Sequence, residues 1–336
     1  MTPIRPLAVS IGDPAGIGPE MLCAAWALSG AEALPPFFAV GSASLLAAAA
    51  LRRGIDMPVQ AISNPDEAAA LFGRALPVID LGPADYTPGQ PTESGANLAL
   101  RSLETATGLV RSGTASGLVT GPVSKARLAT VGFNQPGQTE FVAEACGIVP
   151  QNAVMMLAGP SLRVVPITVH VAFHAVPGML TAELIRARAA ITAAALVRDF
   201  GIAAPRLAVA GLNPHAGEDG RMGHEDGEVI APAVEMLRAA GIDARGPLPA
   251  DTMFHAEARA TYDAAICMYH DQALIPIKAL DFDAGVNVTL GLPIVRTSPD
   301  HGTAFAIAGT GTARPGATVA AIRMAGECAL RRMQPA

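Results

Sequence analysis

The sequence predicts an α/β fold with a largely parallel sheet, and two observations carry that prediction. Short apolar runs, cut off by Gly, Pro or polar residues, recur along the chain at 164–169, 207–212 and 264–268. Runs of this kind read as strands buried on both faces, the signature of a parallel sheet. Between such runs lie helical stretches, and alternation of strand and helix argues for βαβ connections. In chain order, 6–11 reads as a first strand, followed by the loop 12–20 and a helix over 21–29. A second unit starts at 37–41 and leads into an Ala/Leu helix. Residues 61–97, rich in Pro, Gly, Asp and Ser, read as irregular surface. An amphipathic helix is predicted over 97–112, then a short strand at 117–120. Helices are predicted over 182–199, with Thr181 as N-cap, and over 230–240, stopped by Gly241.

Composition bounds the function. A chain of 336 residues suggests about two domains. Hydrophobic residues make up 51% and charged residues 15%, which excludes disorder and suggests further burial between subunits. The net charge of −6, with no basic stripe, argues against nucleic acid as a partner. Cys23, Cys146, Cys267 and Cys328 are far apart and form no CxxC pair, so free thiols in a reducing cytoplasm are expected. No membrane partner is expected, since the Ala-rich stretch 45–51 is too short to span a bilayer and no secretory signal stands at the start.

Each of the three internal apolar runs leads into a histidine: His170, His215 and His270. In α/β sheets ligands bind beyond the carboxyl ends of the strands. Three neutral imidazoles there describe a catalytic metal site with open positions, and the competing reading is three unrelated loop histidines. The loop GDPAGIGPE (12–20), between a strand and a helix, is either an anion cradle or a tight turn. It is not a dinucleotide fingerprint, because GxGxxG is absent. In TGPVSK (120–125), Lys125 is a point charge for a phosphate or an ordinary surface lysine. Gln138 and Thr139 offer neutral hydrogen-bonding groups, or simply a helix start with Thr139 as N-cap. Lys278 and Arg296 stand among Ile, Pro, Leu and Val, where an unpaired charge is costly. They call for an anionic substrate, or for internal salt bridges with Asp281 or Asp283. His174 follows His170 at the helical i+4 spacing and is a competing metal ligand; His224 and His255 read as loop residues.

Taken together and in order, these motifs resemble the 4-hydroxythreonine-4-phosphate dehydrogenase family of pyridoxal phosphate biosynthesis. The carriers are GDPAGIGPE (12–20), TGPVSK (120–125), GLNPHAGE (211–218), PADTMF (249–254), YHDQALIPIK (269–278) and VNVTLGLPIVRTSPDHGTAF (286–305). The resemblance implies a two-domain fold like that of isocitrate and isopropylmalate dehydrogenases. One domain would be 1–130 completed by 300–336, the other 131–299, with a cleft between them. It implies that His170, His215 and His270 hold one divalent ion (zinc, magnesium or cobalt). It implies a homodimer whose active site lies at the interface, one metal histidine coming from the partner subunit. Gln138, Thr139, Lys278, Asn287 and Arg296 fall where the family contacts substrate. The loop His301, Gly302, Thr303 and Ala304 falls where the larger group holds the adenosine side of NAD or NADP. Two departures bear on the substrate: the family usually has His where this chain has Gln138, and a Lys-Asp pair has become His174-Ala175.

The implied reaction is metal-dependent oxidation of 4-phosphooxy-L-threonine by NAD or NADP. The resulting 3-keto acid loses carbon dioxide to give 3-amino-2-oxopropyl phosphate. Asp251 and Lys278 are the candidates for the general base. The alternatives are a paralogue that oxidises threonate or erythronate 4-phosphate or a dihydrodiol carboxylate, a metal-dependent phosphoacyl transferase, and a non-catalytic metal-binding protein.

Overall fold

The computed structural model describes residues 4–334. The chain divides into two compact units, the first running to Pro150 and resuming over Leu292–Gln334, the second spanning Gln151–Gly291. The first unit holds β1 (Leu7–Ser10), β2 (Phe37–Gly41), β3 (Val59–Ile62), β4 (Leu76–Asp80) and β5 (Leu118–Thr120). The second holds β6 (Val154–Ala158), β7 (Arg163–Pro166), β8 (Arg206–Ala210), β9 (Asp243–Leu248), β10 (Ala264–Cys267) and β11 (Val286–Leu290). The chain then returns to the first unit with β12 (Arg296–Pro299).

In the first unit the order is β3-β4-β2-β1-β5-β12, and every neighbouring pair is parallel. Leu7, Phe37, Phe38, Leu76 and Leu118 are fully enclosed, as strands covered on both faces require. The helix Glu93–Arg111 buries Leu98, Leu103, Ala106 and Val110 along one face. Its N-cap is Thr92, whose hydroxyl accepts from the Gly95 N–H at 3.1 Å, so it starts before the predicted 97. The predicted irregular stretch 61–97 is corrected further: it contains β4 and the end of β3. Pro77, inside β4, has no N–H to donate, which is why the segment does not read as a sheet strand.

In the second unit the order is β11-β6-β7-β10-β8-β9. β7, β10, β8 and β9 are parallel neighbours, while β6 runs antiparallel to both β7 and β11. The short connection between β6 and β7 leaves no room for a crossover, so that pair is a hairpin. Asp281 fastens its turn by accepting from the Ser161 N–H at 2.8 Å. The helix Ala182–Phe200 matches prediction, with Thr181 accepting from the Leu184 N–H at 3.1 Å and Gly201 closing it at φ 68°. Among the described residues no helix is long and apolar enough to cross a membrane.

Candidate active site

Strand order explains half of the histidine prediction. β10 lies between β7 and β8, all three parallel, so their carboxyl ends share one sheet edge. His170 follows β7 at φ 54°, and His270 opens the helix His270–Asp281 after β10. The two rings are 5.7 Å apart between centroids. They line a cavity of about 250 Å³ with Thr168, Val171, Phe173, Val176, Tyr269 and Asp271. The Asp271 carboxylate is 2.7 Å from His270 Nδ1, a contact that orients the ring. Phe173 and Tyr269 stack edge-to-face at 5.2 Å. Neither aromatic was anticipated, although Tyr269 stands directly before His270.

His215 takes a different course. Residues 215 to 220 all have positive φ, from 42° at Glu218 to 86° at Gly220. Left-handed conformation is costly for residues with a Cβ, so the surroundings must impose it. The buried Asp226 does part of this, accepting from the Leu212 N–H at 2.8 Å, the Asn213 N–H at 3.2 Å and the Asn213 side chain at 2.9 Å. Among the described residues, no group of three His, Cys, Asp or Glu side chains could hold a metal ion. His170 and His270 line one cavity of a single chain, and His215 is not among the residues lining that cavity. The three strand ends are adjacent, and the turn after β8 holds His215 in the same left-handed conformation, φ 54°, as His170 after β7. His174 is exposed in a short turn, as are His224 and His255 in theirs.

In the first unit, Arg296 begins β12 and is only 3% exposed. Its Nη2 donates to Thr120 Oγ1 at 2.7 Å and its Nη1 to Thr139 Oγ1 at 3.4 Å. Burial pushes its pKa down to about 10, against the opposing pull of Glu140, so it stays cationic at neutral pH. Gln138 and Thr139 open the helix Gln138–Ala145, whose N-cap is Gly137. Thr139 is thus not the N-cap; its hydroxyl faces the guanidinium instead. Gln138 Nε2 donates to the Gly121 carbonyl at 3.2 Å, while its Oε1 is buried with no hydrogen-bond partner. Lys125 is exposed.

The loop 12–20 is a packed turn rather than an anion cradle. The N–H groups of Asp13, Ala15, Gly16 and Ile17 go to Pro122 O, Asp13 Oδ1, Asp13 O and Thr303 O at 2.8–3.0 Å. Burial raises the Asp13 pKa, partly offset by its bond from Ala15. The loop instead supports the segment beginning at His301. A Cβ on Gly16 would come within 2.7 Å of the Thr303 carbonyl, so the close approach requires glycine. Ala304 is held at φ 47°, and His301 Nε2 is buried without a hydrogen-bond partner.

Lys278 is exposed on the helix His270–Asp281, so its charge is not buried as the apolar context predicts. Asp251 is likewise exposed, in the turn Ala250–Thr252. Asn287, on β11, buries an Oδ1 that has no hydrogen-bond partner. Gln138, Asn287 and His301 thus share one property: a buried polar atom left unsatisfied by the protein. Each such atom costs about 1–3 kcal/mol, which a ligand offering a complementary group relieves.

Comparison with known proteins agrees with this picture. The family model "Pyridoxal phosphate biosynthetic protein PdxA" matches residues 33–325. A 4-hydroxythreonine-4-phosphate dehydrogenase of Erythrobacter litoralis is 60% identical over 330 residues, covering 98% of each chain. The crystal structure of a 4-hydroxythreonine-4-phosphate dehydrogenase from Klebsiella pneumoniae superposes with a TM-score of 0.87 at 36% identity, covering 98% of this chain and 99% of that one. A terephthalate 1,2-cis-dihydrodiol dehydrogenase from Burkholderia xenovorans gives a TM-score of 0.66 at 28% identity, covering 96% of this chain and 98% of that one.

Proposed function

Because the chain belongs to the family of the pyridoxal phosphate biosynthetic protein PdxA, we propose that it oxidises 4-phosphooxy-L-threonine with NAD or NADP, the keto acid then losing carbon dioxide. The observation that carries this reading is Arg296: a cation buried at 3% exposure, aligned by the hydroxyls of Thr120, at the end of β5, and Thr139, in the first turn of a helix. That arrangement suits a carboxylate or phosphate, which the planar guanidinium holds in two parallel hydrogen bonds. Thr139 and the Gln138 carbonyl oxygen orient the same substrate, and Asn287 Oδ1 accepts from a hydroxyl or ammonium. Lys278 is an exposed second cation for the other anionic group. The donor set of His170, His215 and His270 suits zinc or cobalt better than magnesium, which prefers oxygen. When bound, the metal supplies a Lewis acid for oxidation of an alcohol and the dinucleotide supplies the hydride acceptor. Asp271, by fixing the His270 ring, prepares that chemistry.

With His170 and His270 lining one cavity of a single chain, the third imidazole comes from a second copy in this reading, as the family resemblance implies. The second unit carries apolar side chains for such an interface: Phe173 is 67% exposed, Ile275 67% and Phe282 69%.

The substrate is tested by comparing 4-phosphooxy-L-threonine, threonate 4-phosphate and a dihydrodiol carboxylate, reading NADH formation. The first should give the highest kcat/KM. Gln138→His should act on it at least as well as the parent and acquire a pH dependence near the imidazole pKa of about 6.5. A charged hydrogen bond exceeds a neutral one by roughly 1 kcal/mol, so the gain is up to about tenfold. If Gln138→His and Gln138→Ala both leave the constants for every substrate unchanged, Gln138 is only a helix start. A preference for the dihydrodiol would move the chain to the second reading.

A further inference from the structure

We propose that the buried pair Glu20–Arg53 is a clamp that holds the segment 301–313 in the shape that receives the nucleotide, and so sets dinucleotide affinity. This rests on the assignment of His301–Ala304 to the cofactor in the functional reading above. Glu20 stands in the first turn of the helix Gly18–Ala27 and is 3% exposed. Its Oε1 accepts from the Gly309 N–H at 3.3 Å, across 289 residues of sequence. Its Oε2 is 3.8 Å from Arg53 Nη1. Arg53 Nη2 in turn donates to the Ala313 carbonyl at 2.6 Å. The segment is thus tied at Thr303 by Ile17, at Gly309 by Glu20 and at Ala313 by Arg53.

Between these ties the segment has little regular structure, only the short turn Phe305–Ile307. Ile17, Met21 and Ala313 form a small buried cluster against which Ala304 and Ala308 pack. Apolar contact of that kind gives adhesion without direction. The two side chains supply direction, since hydrogen bonds to named backbone atoms fix where the loop turns. A buried ion pair is a poor stabiliser compared with apolar packing of equal volume, so its use here points to geometry rather than stability. The buried, partnerless His301 Nε2 lies at the start of the clamped stretch, where a ligand group would meet it. Glu20 and Arg53 act through the loop and are positioning residues.

The test is titration of the parent, Glu20→Gln and Arg53→Lys with NADH, reading the cofactor's own fluorescence. Both variants should raise the NADH Kd about tenfold. The KM for the phosphorylated substrate and kcat at saturating NAD should hold, a split that general loosening would not produce. Glu20→Asp, which keeps the charge, should recover part of the loss. If Glu20→Gln fails to fold, Arg53→Lys alone decides, because Arg53 lies nearer the surface at 15% side-chain exposure. Folded variants with an unchanged NADH Kd overturn the clamp while leaving the functional reading intact. A parent that binds neither NADH nor NADPH overturns both.

Discussion

Arg296→Met is expected to lower kcat/KM for the phosphorylated substrate by about a hundred- to ten-thousand-fold without lowering the melting temperature. In the proposed function the guanidinium holds one anion through two N–H groups, and hydrogen bonds to charged groups contribute about 1.5–3 kcal/mol each. At about 1.4 kcal/mol per factor of ten, losing two gives that range. Stability should move the other way. Burial lowers the Arg296 pKa to about 10 in the folded protein, so desolvation of its charge opposes folding. A base whose pKa is depressed by folding destabilises the native state below that pKa, and the penalty fades as pH rises through it. Methionine fills similar volume without the charge, so the melting temperature should hold or rise at neutral pH. Unchanged kcat/KM in a folded Arg296→Met protein would remove Arg296 from the site.

His270→Ala and His215→Ala should each abolish metal retention and reduce activity at least about a thousandfold, given the share of the barrier that a Lewis acid carries. The two inactive variants should restore activity when mixed into heterodimers. If His215 serves a site with the other copy's His170 and His270, a mixed dimer keeps one intact set and spoils the other. Metal content by elemental analysis should rise in parallel. Confirmed heterodimers that stay inactive would show that His215 and His270 of one site do not come from different chains.

Which features the sequence disclosed follows from what kind of signal each one leaves. The enclosed strands β1, β2, β5, β7, β8 and β10 are continuous apolar runs and could be read directly. β4 could not, because Pro77 interrupts it, and β12 could not, because its residues Arg296, Thr297, Ser298 and Pro299 form no apolar run. The helix Ala182–Phe200 was legible to its caps, since Thr181 and Gly201 have local reasons for their places. At the site, the shared sheet edge of the three histidines follows from strand direction alone. The left-handed run through His215, Ala216, Glu218 and Asp219 does not, because it contradicts the local preferences of those residues. The burial of Arg296 was foreseeable from its apolar neighbours. The same argument failed for Lys278, which the helix His270–Asp281 turns to its exposed face. The family motifs supplied what local physics could not, namely which polar residues of distant segments act together.

Metal-dependent oxidation followed by loss of carbon dioxide is tested by stripping the metal and following both products. Chelator-treated protein is given 4-phosphooxy-L-threonine and NAD, with NADH and carbon dioxide followed together before and after zinc or cobalt is added back. The stripped protein should give no turnover, and after metal addition NADH and carbon dioxide should form in equal amounts. Acyl transfer to phosphate without NADH formation, or full NADH formation by the stripped protein, would contradict metal-dependent oxidation.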